Sequence, residues 1–253
     1  MSKNVVAIIQ ARMNSERLPG KVLKKILDKP LLFYLTERIN KCKMVDKTVI
    51  ATSENYKDNS IVEFCEKNDI SFYRGSEDNV LLRFKEAAIQ NSADIVVRIC
   101  ADSPLLDNRI VDQVITEFIE YQDKYDYISN SIDQTYPLGM NVEVFSMNSL
   151  IKANQLAKSN FEMEHVTPCI RNQHNSFKIK KKDFRENLFH IRLTVDEKSD
   201  FDLIKIIIEN LYPKNKNFSL EDILSFLKKN KELLNINRDI NQRHLESFQK
   251  RIN

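Results

Sequence analysis

Val5-Val6-Ala7-Ile8-Ile9 runs without a break into Gln10-Ala11-Arg12-Met13-Asn14-Ser15-Glu16-Arg17-Leu18-Pro19-Gly20-Lys21. Five apolar residues in succession, with no polar alternation, read as a strand buried on both faces. The polar, cation-rich segment that follows would then leave the carboxyl end of that strand, where open α/β sheets bind their ligands. Working outward, the same alternation recurs. Leu32, Leu35, Ile39 and Cys42 keep helical spacing behind Pro30, a residue suited to a first helical turn. Thr48–Thr52 reads as a strand, Ile61, Phe64 and Cys65 mark a helix, and Ile70–Tyr73 is a short strand. Val80, Phe84 and Ala88 mark another helix, Asp94–Cys100 a fourth strand, and Val111, Val114, Ile115 and Phe118 a further helical face. Strands alternating with helices predict an α/β fold with a mainly parallel sheet covered on both faces. Beyond Asp126 the pattern shortens: Tyr127–Ser129, Val142–Phe145 and His190–Val195 read as strands. Ser199 with Asp202 and Ser219 with Asp222 have capping-box spacing.

The chain has 253 residues, 42% apolar and 30% charged, which suits one folded domain over residues 1–253 with a polar, helical tail at 235–253. No apolar run approaches the roughly 20 residues that span a bilayer, and the N-terminal run is too short for a signal-peptide core. A cytoplasmic protein without a membrane partner is expected. Thirty-nine basic against 36 acidic residues leave a net charge of +3, too balanced to argue for nucleic acid. Lys180-Lys181-Lys182 reads as a solvated run. Cys42, Cys65, Cys100 and Cys169 form no C-x-x-C pair and read as small core residues. The three glycines, Gly20, Gly75 and Gly139, are too few for a glycine-rich phosphate loop. Any nucleotide phosphates must be held largely by side chains.

The segment after the first strand offers those side chains. Arg12, Arg17 and Lys21, with the Ser15 hydroxyl, can hold a polyphosphate by charge-assisted hydrogen bonds. Pro19-Gly20 supplies a bend that turns Lys21 back. The same composition also fits a solvated polar loop. Asp102, in Ala101-Asp102-Ser103-Pro104, follows the fourth strand and reads equally as a turn residue. Asp196 follows the His190–Val195 segment, with Glu197 beside it as a competing carboxylate.

The string Ile8-Ile9-Gln10-Ala11-Arg12 through Arg17-Leu18-Pro19-Gly20-Lys21 resembles the signature loop of the sugar-acid cytidylyltransferases. These include the 3-deoxy-manno-octulosonate and acylneuraminate cytidylyltransferases, and the nearest branch is that of spore coat polysaccharide biosynthesis protein F. The resemblance covers roughly residues 4–212. It implies a Rossmann-like nucleotidyltransferase fold of the glycosyltransferase A type, a CTP substrate, a magnesium cofactor, a sugar or sugar-acid acceptor, and a homodimer. By that resemblance Gln10, Ala11, Arg12, Ser15, Arg17 and Lys21 line the triphosphate, and Arg12, Arg17, Lys21 and Asp102 are catalytic. Arg74, Ser76 and Ala101 face the nucleotide, and Asp102 and Asp196 hold the metal. The sugar side falls to Gly139, Asn141 and Glu143, and to Glu164 and His165 in the branch-like string Glu164-His165-Val166-Thr167-Pro168. The family branch usually carries Gly at Ala101 and Thr-Pro at Glu197-Lys198.

The expected reaction is attack of a sugar hydroxyl on the α-phosphate of CTP, with release of pyrophosphate, for surface polysaccharide or glycan synthesis. Two alternatives stand beside it. A nucleotide-sugar-dependent glycosyltransferase commonly carries D-x-D, which Ala101-Asp102-Ser103-Pro104 lacks. A non-catalytic nucleotide- or sugar-binding module would keep the loop without turnover.

Overall fold

The structure is a computed structural model that describes residues 3–172 and 176–240. In chain order it begins with β1 (Val5–Gln10), a 3-10 turn at Lys21–Leu23, the two-residue strands β2 (Lys25–Ile26) and β3 (Lys29–Pro30), and α1 (Leu31–Ile39). Next come β4 (Lys47–Ser53), a 3-10 turn at Tyr56–Asp58, α2 (Asn59–Lys67), β5 (Ser71–Gly75), α3 (Val80–Gln90), β6 (Ile95–Cys100) and α4 (Asn108–Tyr121). The last third holds β7 (Tyr127–Ser129), β8 (Glu143–Ser146), α5 (Met147–Leu156), α6 (Asn160–His165), α7 (Pro168–Asn172), β9 (Ile179–Lys181), α8 (Lys198–Leu211), α9 (Leu220–Lys229) and a 3-10 turn at Lys231–Asn235.

Seven strands form one mixed sheet in the order β5-β4-β1-β6-β8-β7-β9. β8 runs antiparallel to both of its neighbours, and the other pairings are parallel. β1 lies in the interior of the sheet between β4 and β6, and its side chains alternate between two cores. Val5, Ala7 and Ile9 join α1, α4, α8 and α9 on one face, while Val6 and Ile8 join α3 and α5 on the other. That double burial is why the run is uninterrupted. Ile8 is wholly buried, so truncating it to Ala should cost about 2–5 kcal/mol. The mostly parallel sheet covered by helices is the α/β fold expected from the periodicity.

The early elements and the strand readings at Tyr127–Ser129 and Val142–Phe145 fall where the sequence put them; the stretch around 190–202 needs correction. His190–Val195 makes no ladder in the sheet, because β8 already occupies the place beside β6. The segment is instead extended, with a single bridge between Leu138 and Arg192. Its backbone bonds run Leu138 N to Ile191 O, Leu193 N to Leu138 O and Val195 N to Asp102 O. Helix α8 is capped by Glu197, not Ser199: the Asp200 carboxylate accepts from the Glu197 N–H, so Asp200 rather than Asp202 closes the box. The Ser219–Asp222 box at α9 is present as read. Lys180 and Lys182 are not merely solvated: both pair with Glu117, at 2.8 and 2.5 Å, along the edge strand β9. Most of the 235–253 tail lies outside the described residues, as do His174 and His244; what is described of it, 235–240, ends a 3-10 turn and docks through buried Asn237.

Candidate active site

Strands β5, β4, β1 and β6 end at one edge, and the loops leaving them build the site. The first loop is folded on itself. Gly20 sits at φ +66° and donates its N–H to Met13 O at 2.9 Å; Ser15 N–H donates to the same carbonyl at 3.0 Å. Met13 N–H in turn donates to Asp58 Oδ1 at 2.7 Å. Asp58 is 1% exposed and also accepts from Thr52 Oγ1, from Ser53 N–H and from Ser53 Oγ. One buried carboxylate therefore ties the loop to the end of β4. Sequence reading missed Asp58; its signal was an acidic residue just ahead of α2, where an ordinary cap was the default.

The loop returns Lys21 to the sheet edge. Its Nζ lies 2.8 Å from Asp196 Oδ1 and 3.3 Å from Asp102 Oδ2. The two carboxylates, 94 positions apart in the chain, meet because the 190–195 segment is bonded to the end of β6. Asp102 O accepts from Val195 N–H at 2.8 Å and from the Thr194 hydroxyl at 3.2 Å. Arg17 Nη2 stands 3.2 Å from Asp196 Oδ2, and Arg192 Nη2 stands 2.7 Å from the same oxygen. Glu197 pairs with Arg17 at 3.2 Å and caps the first turn of α8, whereas Lys21 reaches Asp196, so the residue facing Asp102 across Lys21 is Asp196 and not its neighbour. Burial alone would raise the Asp196 carboxyl, but Lys21, Arg17 and Arg192 hold it down, at about 2. Burial likewise works against the Lys21 ammonium, and Asp102 and Asp196 raise it above its ordinary value. Lys21 and Asp196 thus each favour the charged form of the other.

This donor set suits a hard divalent cation. Two carboxylates already converge on one positive centre, the Lys21 ammonium, which stands where a metal ion would bind both. Magnesium uses few protein carboxylates and completes its shell with water and phosphate oxygens. Among the described residues no group of three or more His, Cys, Asp or Glu side chains is gathered to hold a metal, so any ion here would rely on ligand oxygens as well.

The remaining candidates divide by position. Arg12 and Glu164, assigned to nucleotide and sugar, pair with each other at 3.5 Å while both stay half exposed. Gln10 Oε1 accepts from Arg98 Nε at 3.1 Å, and the buried backbones of Ala11 and Ala101 are tied to Ala51 O and Gln10 O. His165 packs edge-on against Phe161 at 4.5 Å. The Asn141 side-chain oxygen is buried without a hydrogen-bond partner. Gly139 has φ +92°, and a Cβ there would lie 2.6 Å from the Leu193 carbonyl; close backbone crossing is what requires glycine.

Three further candidates are engaged by the protein's own groups. Arg74 turns its Nε and Nη2 onto Ser53 O and Asn55 O, both at 3.0 Å, and so braces the loop after β4. Ser76 Oγ accepts from Asn79 N–H ahead of α3, the plain strand-to-helix turn. Glu143 does not open toward a ligand. It is 5% exposed, faces Arg98 across the β6–β8 ladder and pairs with it. It also accepts from Tyr127 Oη at 2.5 Å and Thr167 Oγ1 at 2.7 Å. Burial opposes its charge, but Arg98 and Arg171 keep its carboxyl below the ordinary range.

Beside Thr167, Val166 holds φ +69° and ψ −58° with no exposure, and Thr167 N–H donates to His165 O at 2.8 Å. This is the rare, strained γ-turn, and a β-branched residue tolerates it only where its surroundings enforce it. Arg83 is a second feature the periodicity concealed. It lies on the buried stripe of α3 at 2% exposure, donates from Nη1 to Ser76 O at 2.7 Å and leaves Nε unpartnered. Burial pushes it down to about 10, with Asp58 opposing. An arginine three residues after Val80 on an apolar stripe was the available signal.

The sheet with its cation-and-carboxylate edge defines a nucleotidyltransferase. A family model described as cytidylyltransferase matches residues 6–240, and the chain belongs to that family. Spore coat polysaccharide biosynthesis protein SpsF of Bacillus subtilis is 32% identical over 234 residues, covering 90% of this chain and 95% of that protein. The solved structure of a cytidylyltransferase from Leptospira borgpetersenii superposes with a TM-score of 0.89 at 30% identity, covering 95% of this chain and all of that one. A CMP:2-keto-3-deoxy-manno-octonic acid synthetase complexed with CTP shares the fold, with a TM-score of 0.63 at 16% identity over 81% of this chain and 98% of that one. No helix of the described residues is long and apolar enough to cross a membrane.

Proposed function

We propose that the protein uses CTP to convert a sugar or sugar acid into a CMP-sugar, releasing pyrophosphate, and that it serves surface polysaccharide or glycan synthesis. The observation that carries this reading is the meeting of Lys21 and Arg17 with Asp102 and Asp196 at the carboxyl edge of the sheet. A bound triphosphate whose terminal pyrophosphate departs presents more charge to these cations than a nucleoside diphosphate leaving group does, and so explains their number better. Arg12, Arg17 and Lys21 bind the β- and γ-phosphates and offset the charge that grows on the departing pyrophosphate. The Asp58 anchor keeps the loop in place, so little reorganisation is needed when the triphosphate arrives.

Asp102 and Asp196 would hold magnesium, which when bound neutralises phosphate charge and favours ionisation of the attacking hydroxyl. Glu164 and His165 orient the acceptor across the mouth of the site from Arg12. In this reading Arg12 and Glu164 separate on binding, one toward phosphate and the other toward a sugar hydroxyl. No covalent enzyme intermediate is required. A cytoplasmic location, where CTP is available, and a homodimer complete the proposal on the strength of the family resemblance.

The test is pyrophosphate release with magnesium, each of CTP, UTP, ATP and GTP, and a panel of acidic and neutral sugars. Release with CTP and one or more sugars is expected. Equal rates with all four nucleotides would refute the cytosine assignment, and no release with any pair would refute transfer to a sugar.

A further inference from the structure

Asp196 does not stand alone at the edge; its orientation is set by a buried chain of groups that begins in the C-terminal segment. Arg192 Nη2, 2.7 Å from Asp196 Oδ2, is shared with Asp200 Oδ2 at 3.1 Å, and Arg192 Nε reaches Asp200 Oδ1 at 2.8 Å. Asp200 is 0% exposed. Its Oδ2 also accepts from the N–H groups of Asp196 and Glu197, at 2.9 and 3.0 Å. Its last partner comes from 37 residues away: Asn237 Nδ2 donates to Asp200 Oδ1 at 2.9 Å and to Arg192 O at 3.1 Å. Asn237 is 5% exposed, while Arg238 and Asp239 beside it face solvent.

The chemistry of that contact is specific. Both atoms that Asn237 meets are acceptors, so only a donor group fits, and a carboxylate there would face Asp200 directly. Without the carboxamide, Arg192 keeps two carboxylates to bridge and one fewer constraint on which it favours. Because Arg192 Nη2 touches Asp196 itself, a rotation of the guanidinium toward Asp200 moves the carboxylate that faces Asp102.

We infer that Asn237 is a positioning residue for Asp196, and that the segment after α9 is thereby part of the active site's support. This rests on the reading that Asp102 and Asp196 hold a divalent ion with CTP. Groups that orient metal ligands from behind typically change metal affinity 10–100-fold when removed.

The test uses Mn²⁺ as the probe, with free ion followed by electron paramagnetic resonance as the full-length protein is added in the presence of CTP. Asn237→Ala and the near-isosteric Asn237→Asp are compared with wild type and with the exposed control Arg238→Ala, alongside circular dichroism and melting without ligand. Expected are Mn²⁺ uptake by wild type and by Arg238→Ala, and at least about ten-fold weaker uptake by both Asn237 variants. CTP affinity without metal should stay within about two-fold of wild type, since Asn237 contacts none of the loop cations. A folded Asn237 variant with wild-type Mn²⁺ affinity overturns the inference, even if it melts earlier, because a merely structural role would lower stability alone. If neither variant folds, the residue is a general support of the fold and the specific role is also overturned. If wild type itself takes up no Mn²⁺ with CTP, the metal reading fails first, a result that no Asn237 variant is needed to see.

Discussion

Replacing Lys21 by Met removes the charge between Asp102 and Asp196 while keeping most of the side chain's volume. The ammonium lies 2.8 Å from Asp196 and 3.3 Å from Asp102. At an effective dielectric of about 20 these contacts amount to about 6 and about 5 kcal/mol of gross attraction, before desolvation is set against them. Removing one member of a fully buried pair typically costs about 3–5 kcal/mol. Here Asp102 and Asp196 are 28% and 20% exposed and Asp196 keeps two arginines, so water and neighbours absorb part of the loss; about 1–2 kcal/mol remains. For a chain of this size that lowers the melting temperature by about 2–8 °C.

The same variant should respond differently to magnesium. In wild type the ion must displace an internal cation, whereas in Lys21→Met the carboxylates are free to take it. At ten times its Kd, magnesium alone should restore about 1.4 kcal/mol to the variant and do much less for wild type. Turnover with CTP should fall about 10²–10³-fold, because the lost cation faces the charge that develops on pyrophosphate. Differential scanning fluorimetry, with and without magnesium, reads the first two effects. A variant that melts with wild type, or a wild type that gains as much from magnesium alone, would refute the view that Lys21 and the metal share one site.

Asp102→Asn and Asp196→Asn should each abolish magnesium-dependent pyrophosphate release while Glu197→Gln retains it, since Glu197 pairs with Arg17 and caps α8 while Lys21 lies between Asp102 and Asp196; a dead Glu197→Gln beside an active Asp196→Asn would move the metal ligand by one residue. Gly139→Ala should destabilise by about 3 kcal/mol or more, given a positive φ and a backbone carbonyl 2.6 Å from the new Cβ; urea unfolding checks this, and a loss under about 1 kcal/mol would mean the crossing can relax. Glu143 has its carboxyl held below the ordinary range, so its charge stabilises the fold fully above the unfolded value of about 4.3, and that contribution is lost as pH falls through the lower folded value. The melting gap between wild type and Glu143→Gln should therefore be constant near neutrality and narrow in acid; a gap unchanged in acid would assign it to packing.

The parts of the site that the sequence announced are those whose chemistry lies on the residues themselves. Arg17, Lys21, Asp102 and Asp196 are charged, follow apolar runs, and converge once the sheet forms. The fold was legible for the same local reason: β1 is buried on both faces, so its composition carries its place in the sheet. What stayed hidden was carried by contacts between distant segments. His190–Val195 has a strand's composition, yet β8 takes the place beside β6, and whether a segment joins a ladder depends on which neighbour arrives there. Glu143 reads as a sugar-side acid until its cross-strand partner, Arg98, is known. Asp58 and Asp200 look like helix-start carboxylates, and each is one. Only their burial, at 1% and 0% exposure, shows that the same oxygens also hold the loop of Arg17 and the backbone of Asp196. A buried carboxylate satisfied by several N–H and O–H donors is costly to disturb, so these two acids fix the site more firmly than the exposed residues that would touch the ligand. The loop cations can then exchange partners, from carboxylate to phosphate, without the frame beneath them moving.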